Sequence, residues 1–310
     1  MARPEFKNID APVKNFAFDT SYREQPTRFA IELVLDNITY HYTFAVQGQE
    51  IVYELLTKKY RRTEKLLERT SSSFKDITLR SELKGFEDVK RMVKPEALCL
   101  PIADLLNNPL ASKIVSAIQG INVVSMTAGK LQPINPKKTF SEDRLRKYIN
   151  IIRTADPTLR DIKVSFEEEE VEHQRNTSDD FENREAIVKT TRVGIASRHA
   201  VYENGKETTV TPISFFKDES LGTVKLFTAL PYLFDVLEDG GVLMVDELEN
   251  GLHLSLAKEI IHLFTNEESN PHHAQLICTS HQPLLVDGEY RRDQVWITAK
   301  DDCGRSVLHR

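Results

Sequence analysis

Apolar side chains fall on every second position from Phe29 onward. Phe29, Ile31, Leu33 and Leu35 alternate with residues of the opposite face, Asp36-Asn37 supplies a turn, and Ile38, Tyr40, Tyr42, Phe44 and Val46 resume the alternation before Gly48. A period of two predicts an antiparallel hairpin with one buried face, continued by a strand over 51–56. From 57 to 136 the texture becomes charge-rich, with Leu66, Leu67, Leu98, Leu105 and Ile114 placed to pack, and a mainly helical stretch is expected. Thr139-Phe-Ser-Glu142 reads as a capping box opening a helix that would bury Leu145, Tyr148, Ile149 and Ile152. Residues 167–185 carry too few apolar groups to order themselves, so an exposed loop or insertion is expected there. Strands resume over 187–196 and 200–202, with Asn204-Gly205 as a hairpin turn.

The last hundred residues carry two apolar runs that end in polar groups. Gly-Gly-Val-Leu-Met-Val-Asp-Glu (240–247) has the composition of a parallel strand buried on both faces, and it closes on adjacent carboxylates. Gln-Leu-Ile-Cys-Thr-Ser-His (275–281) ends in the same way, which places Cys278 inside a buried strand as a packing residue and His281 at the edge shared with Asp246. Between them 254–264 reads as a crossover helix burying Leu256, Ile260, Leu263 and Phe264, which completes a strand–helix–strand unit. Ligands of open α/β sheets sit outside the carboxyl ends of the strands. A hard cation such as Mg²⁺ suits a carboxylate there, and a second carboxylate can orient water. Taken alone, Asp246-Glu247 fits a solvated acidic turn equally well. Upstream, Asp-Glu-Ser-Leu-Gly-Thr (218–223) runs into a helix with Leu226, Leu230, Leu233 and Leu237 on one face. Ser220 is its N-cap candidate and Gly222 permits close backbone approach. An ordinary capped helix has the same look.

Composition narrows the class without deciding it. In 310 residues, 40% hydrophobic and 28% charged, there is a folded protein's balance and no apolar run near the roughly 20 residues of a membrane span. A net charge of −6 gives no global case for DNA binding. A basic cluster (Lys58, Lys59, Arg61, Arg62 and Lys65 around Tyr60) could meet phosphates, but a solvated helix face is the commoner meaning. Three widely spaced cysteines and an N-terminus without an apolar signal core fit a reducing cytoplasm.

The order and spacing of the C-terminal motifs are more specific than any one of them. Glu-Ser-Leu-Gly-Thr, then a helix, then Leu-Met-Val-Asp-Glu-Leu-Glu-Asn-Gly-Leu-His, then Ile-Cys-Thr-Ser-His-Gln-Pro-Leu-Leu resembles the ABC-type ATPases. The likeness is greatest to the prokaryotic AAA-type group related to the overcoming-lysogenization-defect, recombination-repair and chromosome-maintenance ATPases. That resemblance implies an α/β fold: a P-loop NTPase core, mostly parallel and flanked by helices, with an antiparallel β layer (1–56), a mainly helical insertion (57–160) and a signature, Walker B and switch-histidine part (161–310). It implies ATP and Mg²⁺ as cofactors. Asp246 would be the Walker B carboxylate on Mg²⁺ and Glu247 the general base or water-positioning group. His281 would sense the γ-phosphate, and Glu249, Asn250, Gly251 and Leu252 would form the D-loop. Ser220 and Gly222 would touch the nucleotide of an opposite subunit, in a homo-dimer or higher oligomer. Relatives serve in anti-phage defence or DNA maintenance, sometimes beside a separate nuclease or toxin subunit.

One departure stands out. The phosphate loop Gly-x-x-x-x-Gly-Lys-Ser/Thr is absent from the sequence: Gly129-Lys130 is followed by Leu131 and Gly205-Lys206 by Glu207, neither with the upstream glycine. The chain is therefore expected to begin just after that loop, either by truncation or as a protein that kept the scaffold and lost catalysis. Three function classes follow: an ATPase, a non-hydrolysing interaction protein of the same fold, and a metal-dependent nuclease using Asp246, Glu247 and Glu249.

Overall fold

The computed structural model describes residues 13–86, 90–126, 139–173, 186–286 and 290–310. They fall into two compact units, Met1–Gly120 with Arg291–Arg310, and Ile121–Tyr290.

The first unit is built on an antiparallel meander of β1 (Thr27–Leu35), β2 (Ile38–Gln47), β3 (Glu50–Lys59), β4 (Thr63–Arg69) and β5 (Ile77–Leu79), paired in that order. Asp36 and Asn37 take φ of 49° and 61°, the paired left-handed conformation that matches the twist of a two-residue hairpin. One face of the sheet packs Tyr40, Tyr42, Leu56 and Leu67 against α1 (Cys99–Leu105) and α2 (Pro109–Gln119). The expectation of a mainly helical 57–136 is corrected here. Helices occupy 99–105 and 109–119, while 63–69 is a strand. Leu56 faces Leu67 but Thr57 faces Lys65, so Leu66 is a bulge residue, and Leu66 and Leu67 are both buried. The basic cluster thus lies on the β3–β4 turn instead of a helix face. Lys58 pairs with Glu64 (3.3 Å) and Glu82 (2.6 Å), and Lys65 with Glu68 (2.6 Å). Segment Ile297–Lys300 pairs with Ser306–His309 in the same unit.

The second unit holds β6 (Ile121–Ser125), α3 (Glu142–Arg153), β7 (Leu159–His173), β8 (Ala186–Glu203), β9 (Lys206–Ser214), α4 (Phe215–Asp218), α5 (Leu221–Asp239), β10 (Val242–Asp246), α6 (Leu254–Thr265) and β11 (Gln275–Cys278). Strands β11, β10 and β6 pair side by side in parallel, with Val245 opposite both Cys278 and Val124. Joined through α6, β10 and β11 make the expected strand–helix–strand unit. Helices α5 and α6 cover a single face: Val124, Leu243 and Val245 share a core with Leu226, Leu230, Leu233, Leu256 and Ile260. The other face carries Val123, Met244 and Ile277 in one row, all exposed. Two expectations change accordingly. Among the described residues the strands are buried on one face, not both, and Cys278 is exposed instead of packed.

Strands β7, β8 and β9 form an antiparallel sheet, and Asn204 (φ 51°) with Gly205 (φ 76°) makes the expected turn. Residues 167–173, expected as loop, continue β7. Its register sets Glu167 opposite Arg192 and Glu170 opposite Lys189. The rest of that expected loop, 174–185, lies outside the described residues, as does Gly129-Lys130. The expected capping box does not form. Ser141 takes the N-cap of α3 without a side-chain bond, and the carbonyl of Thr139 accepts the Tyr148 hydroxyl instead. Tyr148, Ile149 and Ile152 are buried as expected, with Leu145 half-buried beside them. Among the described residues no helix is long and apolar enough to cross a membrane.

Candidate functional site

The carboxyl end of β10 is where the sequence's polar residues gather. Asp246 closes the strand and is exposed. Glu247 then turns the chain with φ of 53°, a left-handed value unusual for a residue with a Cβ. Such a conformation persists only where neighbours hold it. Thr279, just past β11, supplies the hold: its Oγ1 accepts from the Glu247 N–H (2.8 Å) and donates to Asp246 Oδ1 (2.7 Å). The Leu248 N–H donates to the Thr279 carbonyl at 3.0 Å, which ties the turn to the neighbouring strand.

Within the turn, Asn250 donates from Nδ2 to Glu247 Oε2 at 2.7 Å. Glu249 Oε1 accepts from the His281 N–H at 2.6 Å, and His281 Nε2 lies 3.7 Å from Glu247 Oε1. Burial opposes the charged form of Glu249, but the hydrogen bond from the His281 backbone, with others, outweighs it and holds this carboxyl below the usual range. Its second oxygen is buried with no hydrogen-bond partner among the described residues.

Ser220 is the N-cap of α5, its Oγ accepting from the Thr223 N–H at 3.1 Å. The long apolar face of α5, with Leu226, Leu230, Leu233 and Leu237 buried, anchors that terminus. Gly222 sits against the turn after β10: a Cβ there would stand 2.5 Å from the Gly251 carbonyl oxygen. Asp246, Glu247, Asn250 and His281 are therefore brought together, and Gly222 joins them through Gly251. The Ser220 hydroxyl is engaged in its own helix cap.

Residues 128–287, just over half of the chain, match the family described as "AAA domain, putative AbiEii toxin, Type IV TA system". The chain belongs to this AAA domain family. Its fold is thus of the P-loop NTPase type and its function nucleotide-binding and ATPase-like. No curated protein matches the chain significantly. The AAA domain match takes in every candidate site residue from Ser220 to His281, together with two residues that sequence reasoning passed over. Thr279 holds both carboxylate residues. Lys225, whose Nζ lies 3.0 Å from Asn250 Oδ1, joins α5 to the same turn. The one signal for Thr279 in the sequence was its place in the polar ending of the 275–281 run. Nothing local marked Lys225.

A second group, Asp156, His199 and Glu219, has the donor types of a metal site. Both ring nitrogens of His199 are engaged: Nε2 meets Glu219 at 2.6 Å, while Nδ1 faces Thr158 at 2.9 Å and Asp156 at 3.6 Å. An imidazole standing between its carboxylates in this way is a hydrogen-bonded strut, and it leads directly into Ser220.

The contact at Gly222 yields a prediction. Gly222→Ala forces its methyl into the Gly251 carbonyl, an overpacking that should destabilise the second unit by about 1–3 kcal/mol. Urea denaturation measures this, and an unchanged midpoint would show that the contact relaxes freely.

Proposed function

We propose that this AAA domain is the signature, Walker B and switch-histidine portion of an ABC-type ATPase subunit, and that it binds and hydrolyses ATP when a phosphate loop is supplied to it. The reading rests on one observation above the others. Asp246 and Glu247 end a parallel strand and are pinned by Thr279 of the next, with His281 alongside. The donors at this end of the strand suit a hard cation: the carboxylate of Asp246 and the Thr279 hydroxyl bonded to it are oxygens, which Mg²⁺ prefers. Asp246 would hold Mg²⁺ largely through water, and the cation would offset the negative charge of the phosphates. Glu247, fixed by Asn250, is positioned to take a proton from water or orient it. His281 is exposed beside it, where a γ-phosphate would be sensed. Ser220 and Gly222 lie at the amide end of α5, suited to an anion from an opposite subunit. The family description and the wider resemblance favour a toxin–antitoxin or anti-phage defence setting, with a separate nuclease or toxin effector as partner.

The missing Gly-x-x-x-x-Gly-Lys-Ser/Thr pattern favours a second reading, a non-hydrolysing scaffold of the same fold. It also gives a prediction common to both. Without those amides and that lysine the triphosphate loses its main donors, so the 310-residue chain alone should show no measurable ATP turnover. Tight ATP binding by calorimetry, with turnover abolished by Glu247→Gln, would reveal an unconventional phosphate loop and overturn this. The two readings separate when a phosphate-loop segment is provided. Turnover that then appears and disappears with Glu247→Gln supports the ATPase, and continued silence supports the scaffold.

A further inference from the structure

Three contacts converge on the first turn of α5. Lys225 Nζ lies 3.0 Å from Asn250 Oδ1 and 3.4 Å from the Asn250 carbonyl oxygen. Asn250 passes the contact on, its Nδ2 donating to Glu247 Oε2 at 2.7 Å. The two backbones also meet, since Gly222 abuts the Gly251 carbonyl and a Cβ on Gly251 (φ 77°) would strike Lys225 Cδ and Nζ at 3.1 Å. The first turn of α5 and the 247–251 turn are therefore keyed together by two glycines and one lysine.

Donor chemistry fixes the sense of this chain. An ammonium has three donors and no acceptor, so only the amide oxygen of Asn250 can face Lys225. The amide nitrogen is then directed at the Glu247 carboxylate, which accepts when ionised. With Lys225 gone, the amide oxygen loses its ammonium donor, and the Glu247 carboxylate alone is left to hold the amide in this orientation.

The geometry assigns Lys225 as a positioning residue that couples the helix terminus capped by Ser220 to the Glu247 carboxylate through Asn250. Its meaning for water activation rests on the ATPase reading, but the coupling belongs to the folded chain and needs no nucleotide. A displacement of the α5 terminus is transmitted to the residue that orients the carboxylate, so occupation of one face of the helix end reports to the opposite side of the turn.

Hydrogen exchange read by mass spectrometry on the full chain tests the coupling. Lys225→Met keeps the stem and removes the donor, while Lys225→Arg keeps a donor-only head. Lys225→Met should speed exchange across 248–252 several-fold and leave β10 unchanged, and Lys225→Arg should restore slow exchange. Ser220→Ala, which removes the cap, should loosen the same turn in the wild-type background and have no further effect beside Lys225→Met. Unchanged exchange in Lys225→Met, or an equal effect of Ser220→Ala in both backgrounds, overturns the relay. If Lys225→Met fails to fold, Asn250→Ala takes its place, with the same non-additivity expected.

A second readout applies where turnover is obtained. Lys225→Met should lower kcat about tenfold, the effect of about 1.4 kcal/mol on the barrier, with little change in the KM for ATP and with rescue by Lys225→Arg. A loss expressed in KM instead would make Lys225 a nucleotide-binding group and overturn the positioning role. Absence of turnover in the wild type bears on the ATPase reading alone, and the exchange data then decide the relay.

Discussion

Glu54→Ala should destabilise the first unit by about 3 kcal/mol or more, because three buried donors lose their acceptor at about 1–3 kcal/mol each. Glu54 and Arg69 are fully buried on neighbouring strands, directly opposite each other in the β3–β4 register. The Glu54 carboxylate accepts from the Tyr42 hydroxyl (2.8 Å) and from the N–H groups of Cys99 (2.8 Å) and Leu100 (3.0 Å). Those two amides open α1, whose own N-cap residue, Leu98, has no side chain to offer them. Glu54 is thus a cap delivered from a distant strand. Arg69 spends its donors on the carbonyls of Ser71, Ser72, Pro95 and Ala97. Alanine at 54 leaves three buried donors without a partner. The same surroundings, burial first and then the Glu54 charge, push the Cys99 thiol far up, so Cys99 should resist alkylation in the folded chain while exposed Cys303 reacts. Native-state hydrogen exchange of β3 and α1 measures the loss in Glu54→Ala. A decrease under about 1 kcal/mol would mean that water replaces the carboxylate at little cost.

Glu54 also shows why some of the fold was hidden in the sequence. Hairpins announced themselves locally, because Asp36-Asn37 and Asn204-Gly205 are residues that accept positive φ between alternating runs. The two strands of the site were legible for a similar reason, as short apolar runs closed by polar groups. Strand β4 was not. Thr-Glu-Lys-Leu-Leu-Glu-Arg contains strong helix formers, and the bulge at Leu66 buries two successive leucines, which erases the period of two. The acidic end of β7 is a strand because β8 lies beside it, a non-local fact. One-sided cover of the parallel sheet depends on where α5 and α6 pack, and each run by itself has the composition of a strand covered twice. At the site the residue types and their order could be read, but their fastening could not. Thr279 reaches Asp246 across 33 positions and Lys225 reaches Asn250 across 25. Such links leave no periodic trace.

In an assembly to which a phosphate loop has been supplied, Glu247→Gln should accumulate a nucleotide-bound dimer, whereas Ser220→Arg should prevent that dimer without abolishing nucleotide binding by the monomer. The reason is charge. A phosphoryl group in transfer needs donors on several sides, and a single strand edge presents them on one. Asp246, Glu247 and His281 all belong to that one edge. The opposing donors are available at the start of α5, where the exposed Ser220 and Leu221 stand at the amide end of a 19-residue helix with its partial positive charge. They suit a nucleotide held by a second copy, because Gly222 is already closed against its own Gly251 and cannot swing toward its own strand edge. Glutamine at 247 retains the size and can still bond Asn250, so the turn survives while proton acceptance is lost and bound nucleotide persists. Arginine at 220 removes a cap worth about 1 kcal/mol, which the buried face of α5 can absorb. Its bulk would occupy the approach of the second copy. Size-exclusion chromatography with and without ATP compares the two variants directly. Dimers that form equally in both without nucleotide, or a failure of both to dimerise with it, would mean that the two copies do not share their sites.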